Sequence, residues 1–261
     1  MTDRKELEDA IKSEVARGQF SLMNDELFRY VFGREESRDI TAEFLSAGLE
    51  KDFGHRISGI SFRPALELPV RSDLDQVSRF MARCELGGED HIFVELQLVN
   101  FMESKNFPLI CCAMMIDAQP EDDLHPVATV SILSCGLLEK KSWYSDYHFH
   151  NQETGDLLDN GMGIHFLEVP KFRREAGKTV SSMTKLERWM EFFANCLKDG
   201  EKQELSEIEP AIGKAYAAAG DFFRDSGNVR RYIEREIALR EFRAEMQRAG
   251  NLSSESGEQA S

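Results

Sequence analysis

Apolar and polar positions change their period twice along this chain. Over residues 24–33, Leu27, Phe28, Val31 and Phe32 recur at helical spacing. Asn24 precedes them as an N-cap, and Asp25 and Glu26 stand where the positive helix end favours acids. Gly33 can close the run. A second helix is predicted over 37–49, with Ile40, Phe44 and Leu45 facing inward. From about residue 57 the pattern becomes that of strands, at 57–62, 77–86 and 91–99. Gly87-Gly88-Glu89-Asp90 joins the last two as a hairpin turn. A helix follows over 101–117, with Pro108 kinking it or falling near its start. The stretch 126–138 is β-branched and almost continuously apolar, as a central strand buried on both faces would be. After a helical crossover it should lie parallel to the strand before it.

Helical spacing then returns. Two further strands are predicted over 143–151 and 156–169, around a turn at Glu153-Thr154-Gly155. Thr184-Lys185-Leu186-Glu187 is a capping box. It opens a helix carrying Leu186, Trp189, Met190, Phe193 and Leu197 on one face, with Gly200 as its stop. Helices over 211–219 and 229–248 follow, the latter with Glu236 and Arg240 at supportive spacing. The stretch 249–261 is rich in Ser, Gly and Glu, a composition that predicts disorder. No repeat or long linker divides the chain. The expected organisation is a charged lead-in (1–19), an α/β core (20–175), a C-terminal helical region packed on it (176–248) and a tail.

Composition narrows the function classes. With 32 Lys and Arg against 47 Asp and Glu the net charge is −15, which weighs against DNA as a tightly held partner. Residues 1–10 are too charged for a signal peptide, and the longest apolar run, 108–116, is too short to span a membrane. The 5 cysteines include no C-x-x-C spacing, so neither a disulfide framework nor a zinc knuckle is expected. Adjacent Cys111 and Cys112 read as buried thiols. A cytoplasmic protein is the expectation.

The chemistry concentrates at Ile92-Phe-Val-Glu-Leu-Gln-Leu98. Residues two apart in a strand share a face, so Glu95 and Gln97 project side by side from an apolar element. A buried carboxylate must be paired, wet or bound to a metal. The pair follows a tight hairpin in the order helix, three strands, helix, strand. Metal-dependent nucleases build their sites on that order, with one acid on the second strand and an acid and a polar residue on the third. Mg²⁺ wants hard oxygen ligands and lowers the pKa of an attacking water. The ordinary alternative is a polar pair on a solvated sheet face.

Asp25-Glu-Leu-Phe-Arg-Tyr-Val-Phe-Gly33, Phe44-Leu-Ser-Ala-Gly-Leu49, Val94-Glu-Leu-Gln97, Pro126-Val127 and Ile164-His-Phe-Leu-Glu-Val-Pro-Lys-Phe172 occur in order, at similar spacings. Together they resemble the PD-(D/E)XK nuclease family transposases, also called recombination-promoting nucleases. The resemblance covers most of 20–245. It implies an α/β fold with a restriction-endonuclease-like αβββαβ core, a mixed sheet and a C-terminal helical part. It also implies DNA cleavage with Mg²⁺, Glu95 as metal ligand, Gln97 orienting water and Asp25 assisting from the first helix. A helix-start acid at Asp25, stabilised by ~0.3–1 kcal/mol, is the plain alternative. Arg29 is expected to pair with Asp25 rather than to meet phosphate.

One position departs from the pattern. Where the family carries its second-strand Asp, this chain has Met81. A thioether is a soft, weak donor that cannot replace a carboxylate for Mg²⁺. Asp75 lies six residues earlier, about 20 Å along a strand, and Asp73 is farther still. Three readings follow: a metal-dependent endonuclease, a non-catalytic binding or regulatory module on the same fold, and a structural homo-oligomer joined through the stripe Val229, Tyr232, Ile233, Ile237 and Met246. His148 and His150 share a strand face but show no third metal ligand. Lys171, Arg173 and Arg174 form a small basic cluster that could meet DNA, although a solvated loop is the simpler expectation.

Overall fold

Alternating apolar and polar residues between Gly59 and Val99 fold into an antiparallel meander of three strands. The computed structural model describes residues 4–63, 77–87, 90–100, 106–158 and 161–258. The meander is β1 (Gly59–Arg63), β2 (Val77–Gly87) and β3 (Asp90–Val99). Two helices precede it after a lead helix α1 (Arg4–Ala16): α2 (Asp25–Phe32) and α3 (Arg38–Phe53). The side chain of Asn24 accepts from the Glu26 amide at 3.1 Å and caps α2, and the Gly33 amide closes that helix onto Arg29 O. Gly54, at φ 69°, ends α3 in the left-handed conformation that glycine adopts without strain.

Helix α4 (Phe107–Asp117) then crosses the sheet, with Pro108 in its first turn where a missing N–H costs nothing. Residues 101–105, which the predicted helix includes, lie outside the described residues, as do Gly88 and Glu89 of the turn and Asp73 and Asp75. The crossover delivers β4 (Val127–Leu133) parallel to β3, buried at every position. β5 (Tyr144–Tyr147) pairs antiparallel with β6 (Met162–Glu168), which is parallel to β4. The mixed six-stranded sheet has the order β1-β2-β3-β4-β6-β5. Past Tyr147 the predicted strand is reduced to one bridge, His150 to Leu157.

The C-terminal part is helical: α5 (Lys185–Ala194), α6 (Asp199–Ile208), α7 (Pro210–Phe222) and α8 (Ser226–Glu258). The Thr184–Glu187 capping box forms reciprocally. Asn195, at φ 47°, stops α5, so Gly200 is not the terminator and instead lies in the first turn of α6. α8 runs on through 249–258, where the composition predicts no structure; extending an existing helix costs far less than nucleating one. Among the described residues no helix is long and apolar enough to cross a membrane.

The ladder register assigns every strand residue to one of two faces. On one face Phe80, Ala82, Cys84, Val94, Leu96, Val130, Ile132 and Leu167 meet the apolar sides of α2, α3, α5, α7 and α8 in the main core. Tyr232, Ile233 and Ile237 of α8 are buried there, with Val229 against them, so these members of the predicted oligomer stripe are packed within the chain. The opposite face carries Met81, Glu95, Gln97, Thr129 and Ser131 in adjacent rows and is covered by α4.

Candidate functional site

Glu95 and Gln97 do share a face, and both are wholly buried. They are hydrogen-bonded to each other: Gln97 Nε2 donates to Glu95 Oε1 at 2.7 Å. Gln97 Oε1 accepts from Ser131 Oγ at 3.2 Å, and its amide nitrogen lies 3.4 Å from Cys111 Sγ. Arg79 Nη1 approaches both carboxylate oxygens of Glu95, at 3.4 and 3.5 Å. The guanidinium stands at the partly open side of the site, with 17% of its side chain exposed against 0% for Glu95. The buried carboxylate is thus compensated by a cation and an amide. That answers the desolvation problem a buried charge poses.

α4 forms the roof. Burial pushes the Cys111 thiol up, and the neighbouring charge of Glu95 adds to the effect. Cys112 is pushed up to about 12, chiefly by burial; its contact with Thr129 opposes the shift and Glu95 adds to it. Both cysteines stay protonated at neutral pH and act as small apolar roof residues beside the polar pair. Their reading as buried thiols is what the structure shows.

Directly across the antiparallel ladder from Glu95 stands Met81. The parallel neighbour on the other side is Thr129. Met81 packs with Met115, Phe93 and Ile164 in the small apolar cluster beneath α4.

Asp25 takes another course. In the first turn of α2, its Oδ1 pairs with Arg235 Nε of α8 at 2.5 Å, so α8 supplies the partner where Arg29 was expected. α2 packs through Phe28 on Phe80, ring centroids 5.8 Å apart, on the sheet face opposite Glu95. Asp25 takes no part in the hydrogen bonds around Glu95. The basic cluster is also engaged within the chain. Lys171 pairs with Glu168 at 2.8 Å, Arg174 reaches Glu191 and Glu201 at 2.9 and 2.6 Å, and Arg173 donates to Phe172 O. His150 stands edge-on to His148, ring centroids 6.5 Å apart, and bonds Gly155 O through Nδ1. His148 also faces Asp52 and His165, two groups that no local spacing in the sequence links to it.

A family model described as PD-(D/E)XK nuclease family transposase matches residues 22–249. The chain belongs to this family. No curated protein and no solved structure matches it. The family carries a nuclease fold that uses a divalent metal, and the mixed sheet with its αβββαβ order is that fold. The described residues around Glu95 do not fit a hard divalent cation such as that fold suggests. One carboxylate faces a thioether, and that carboxylate is already held by a guanidinium and an amide.

Proposed function

We propose that this chain is a nuclease-family member whose Glu95 centre no longer assembles a metal site, and that the fold serves as a non-catalytic binding or regulatory module. The observation that carries the reading is Met81 opposite Glu95. A cation with strict demand for hard oxygens gains nothing from a thioether, and Arg79 already occupies the electrostatic niche of the metal. In this role Glu95, Gln97, Ser131 and Arg79 form a satisfied polar network under α4, and Asp25 is a helix-start acid tied to α8. A chain of net charge −15, with Lys171 and Arg174 committed to internal acids, is poorly equipped to hold phosphate backbones. A protein partner in the cytoplasm therefore suits it better than DNA.

The test is plasmid cleavage with Mg²⁺ or Mn²⁺ by the wild-type chain and Glu95→Ala. Neither protein should nick supercoiled DNA. Cleavage by the wild type that is lost in Glu95→Ala would overturn the reading. It would favour an endonuclease that draws its second carboxylate from elsewhere, with Asp75 as the first residue to replace.

A further inference from the structure

On the sheet face opposite Glu95, three parts of the chain bring together a carboxylate and two imidazoles. Asp52 lies in the last turn of α3, His165 in the middle of β6, and His148 just beyond β5. One ligand atom from each lies within 4.8 Å of the other two. His148 Nε2 is 3.6 Å from Asp52 Oδ1, and His165 Nε2 is 3.6 Å from Asp52 Oδ2. Those separations are too long for good hydrogen bonds. One imidazole nitrogen stands near each carboxylate oxygen, each at close to the ~3.4 Å that separates two donor atoms on one ion with bonds of about 2.0–2.1 Å, and with one atom per residue the three lie within 4.8 Å of one another.

We propose that Asp52, His148 and His165 form a binding site for a divalent late first-row transition-metal ion of the zinc type. Two imidazoles and a carboxylate are a nitrogen-rich donor set, which suits zinc and its neighbours and not Mg²⁺. A water completes a tetrahedron on three protein ligands.

Four observations point at a ligand here. His165 is 1% exposed, and its Nε2 has no hydrogen-bond partner among the described residues. A buried ring nitrogen in that state costs free energy that a coordinated ion would recover. Its other nitrogen, Nδ1, lies 3.1 Å from the Tyr144 hydroxyl. With Nδ1–H donating to the phenol oxygen, the Nε2 lone pair is turned toward Asp52, as outer partners of metal-bound histidines do. Gly163 supplies the third observation: a Cβ at this position would stand 2.8 Å from His165 Nε2 and 3.5 Å from His148 Cε1. Glycine keeps that side of the imidazoles open. Finally, Asp52 sits at the C-terminal, electronegative end of α3, which favours a cation.

The site is separate from the Glu95 centre. His165 shares its row with Leu96 and Val130, whereas Glu95 shares its row with Met81 and Thr129 on the other face. A bound ion would tie the end of α3 to the β5–β6 edge.

The experiment is titration of the chelator-stripped full chain with Zn²⁺ against a chromophoric competitor, with Co²⁺ absorption as a second probe. The expected result is one ion per chain, with affinity weakened more than about tenfold in Asp52→Asn and in His148→Ala. Glu95→Gln should bind as the wild type does. Asp52→Asn is isosteric and His148 is partly exposed, so both variants keep the fold, which circular dichroism verifies. Absence of Zn²⁺ binding, unchanged binding in both variants, or loss of binding in Glu95→Gln would each overturn the assignment.

Discussion

Met81 and Glu95 face each other across the β2–β3 ladder, their side chains on the same side of the sheet beneath α4. Cross-strand partners of this kind hold their Cβ atoms about 4.5–5.5 Å apart, near enough to share a cation if both were carboxylates. On the proposed reading the spacing of a two-acid metal site is kept across this ladder, and only one of the two positions holds an acid. The other occupant of the space, Arg79, supplies the positive charge.

Restoring the missing acid tests that statement. Met81→Asp places a second carboxylate opposite the buried Glu95, and without metal it should destabilise the fold by about 1–3 kcal/mol through repulsion and lost packing. Mn²⁺ or Mg²⁺ should recover that loss, because an ion that binds only the folded state raises its stability. Thermal melts in chelator and in Mn²⁺ measure both effects. The wild type should show no Glu95-dependent response. A Met81→Asp protein equally indifferent to Mn²⁺ would mean that more than Met81 separates this site from a metal centre.

Arg79 and Glu95 should behave as an unequal couple. Replacing Arg79 by Met strands a buried carboxylate. Breaking a buried pair costs about 3–5 kcal/mol, and since Arg79 keeps some contact with water a loss of about 2–4 kcal/mol is expected. Glu95→Gln in the Arg79→Met background should return most of that loss. Urea denaturation of the two single variants and the double variant closes the cycle. Additive losses would contradict the pairing.

Local signals in the chain were legible and long-range ones were not. Asn24 before an apolar stripe, Thr184 with Glu187, and Glu95 with Gln97 on one strand face all encode their outcome within a few residues, and the structure matches each. The parallel pairing of β4 with β3 followed from the crossover alone. The partners of these residues could not be read the same way. Arg235 reaches Asp25 from the last helix, and Asp52 at the end of α3 comes near His165 of β6, more than a hundred residues later. Such contacts depend on how elements dock, which no local period records. The end of α5 differs for a local reason: Asn195 takes the left-handed conformation there, five residues before Gly200.

Thiol reactivity reports on the α4 roof. Burial pushes Cys84 and Cys112 up to about 12, while Cys196 is exposed. At pH 8 a disulfide reagent should modify Cys196 at once and reach Cys84, Cys111 and Cys112 only on unfolding. The linkage has a definite sign. Unfolded thiols titrate near 8.5, so the stability gained by keeping Cys84 and Cys112 protonated is complete below that pH and is lost as pH rises toward 12. Reagent counts in native buffer and in urea, followed by urea melts at pH 8 and 10, check both parts. Rapid native labelling of Cys111 or Cys112 would show that α4 opens readily.

Glu168 and Lys171 give the last test, since Lys171 lies in the basic cluster that could have met DNA. Glu168 is fully buried; its Oε1 accepts from the amides of Leu137 and Leu138 at 2.6 and 3.2 Å, and its Oε2 accepts from Lys171 Nζ at 2.8 Å. Lys171 also donates to the carbonyls of Leu138 and Lys140, so it clamps the segment after β4 to the end of β6. Lys171→Met leaves the carboxylate without its cation and should cost about 3 kcal/mol or more. Glu168→Ala, which strands two amides and an ammonium together, should cost at least as much. A lysine that bound phosphate would behave differently: its loss would leave stability nearly unchanged and lower the salt dependence of DNA binding by about one counterion. Chemical denaturation beside DNA binding at several salt concentrations separates the two roles. A clamp moves only the first measurement.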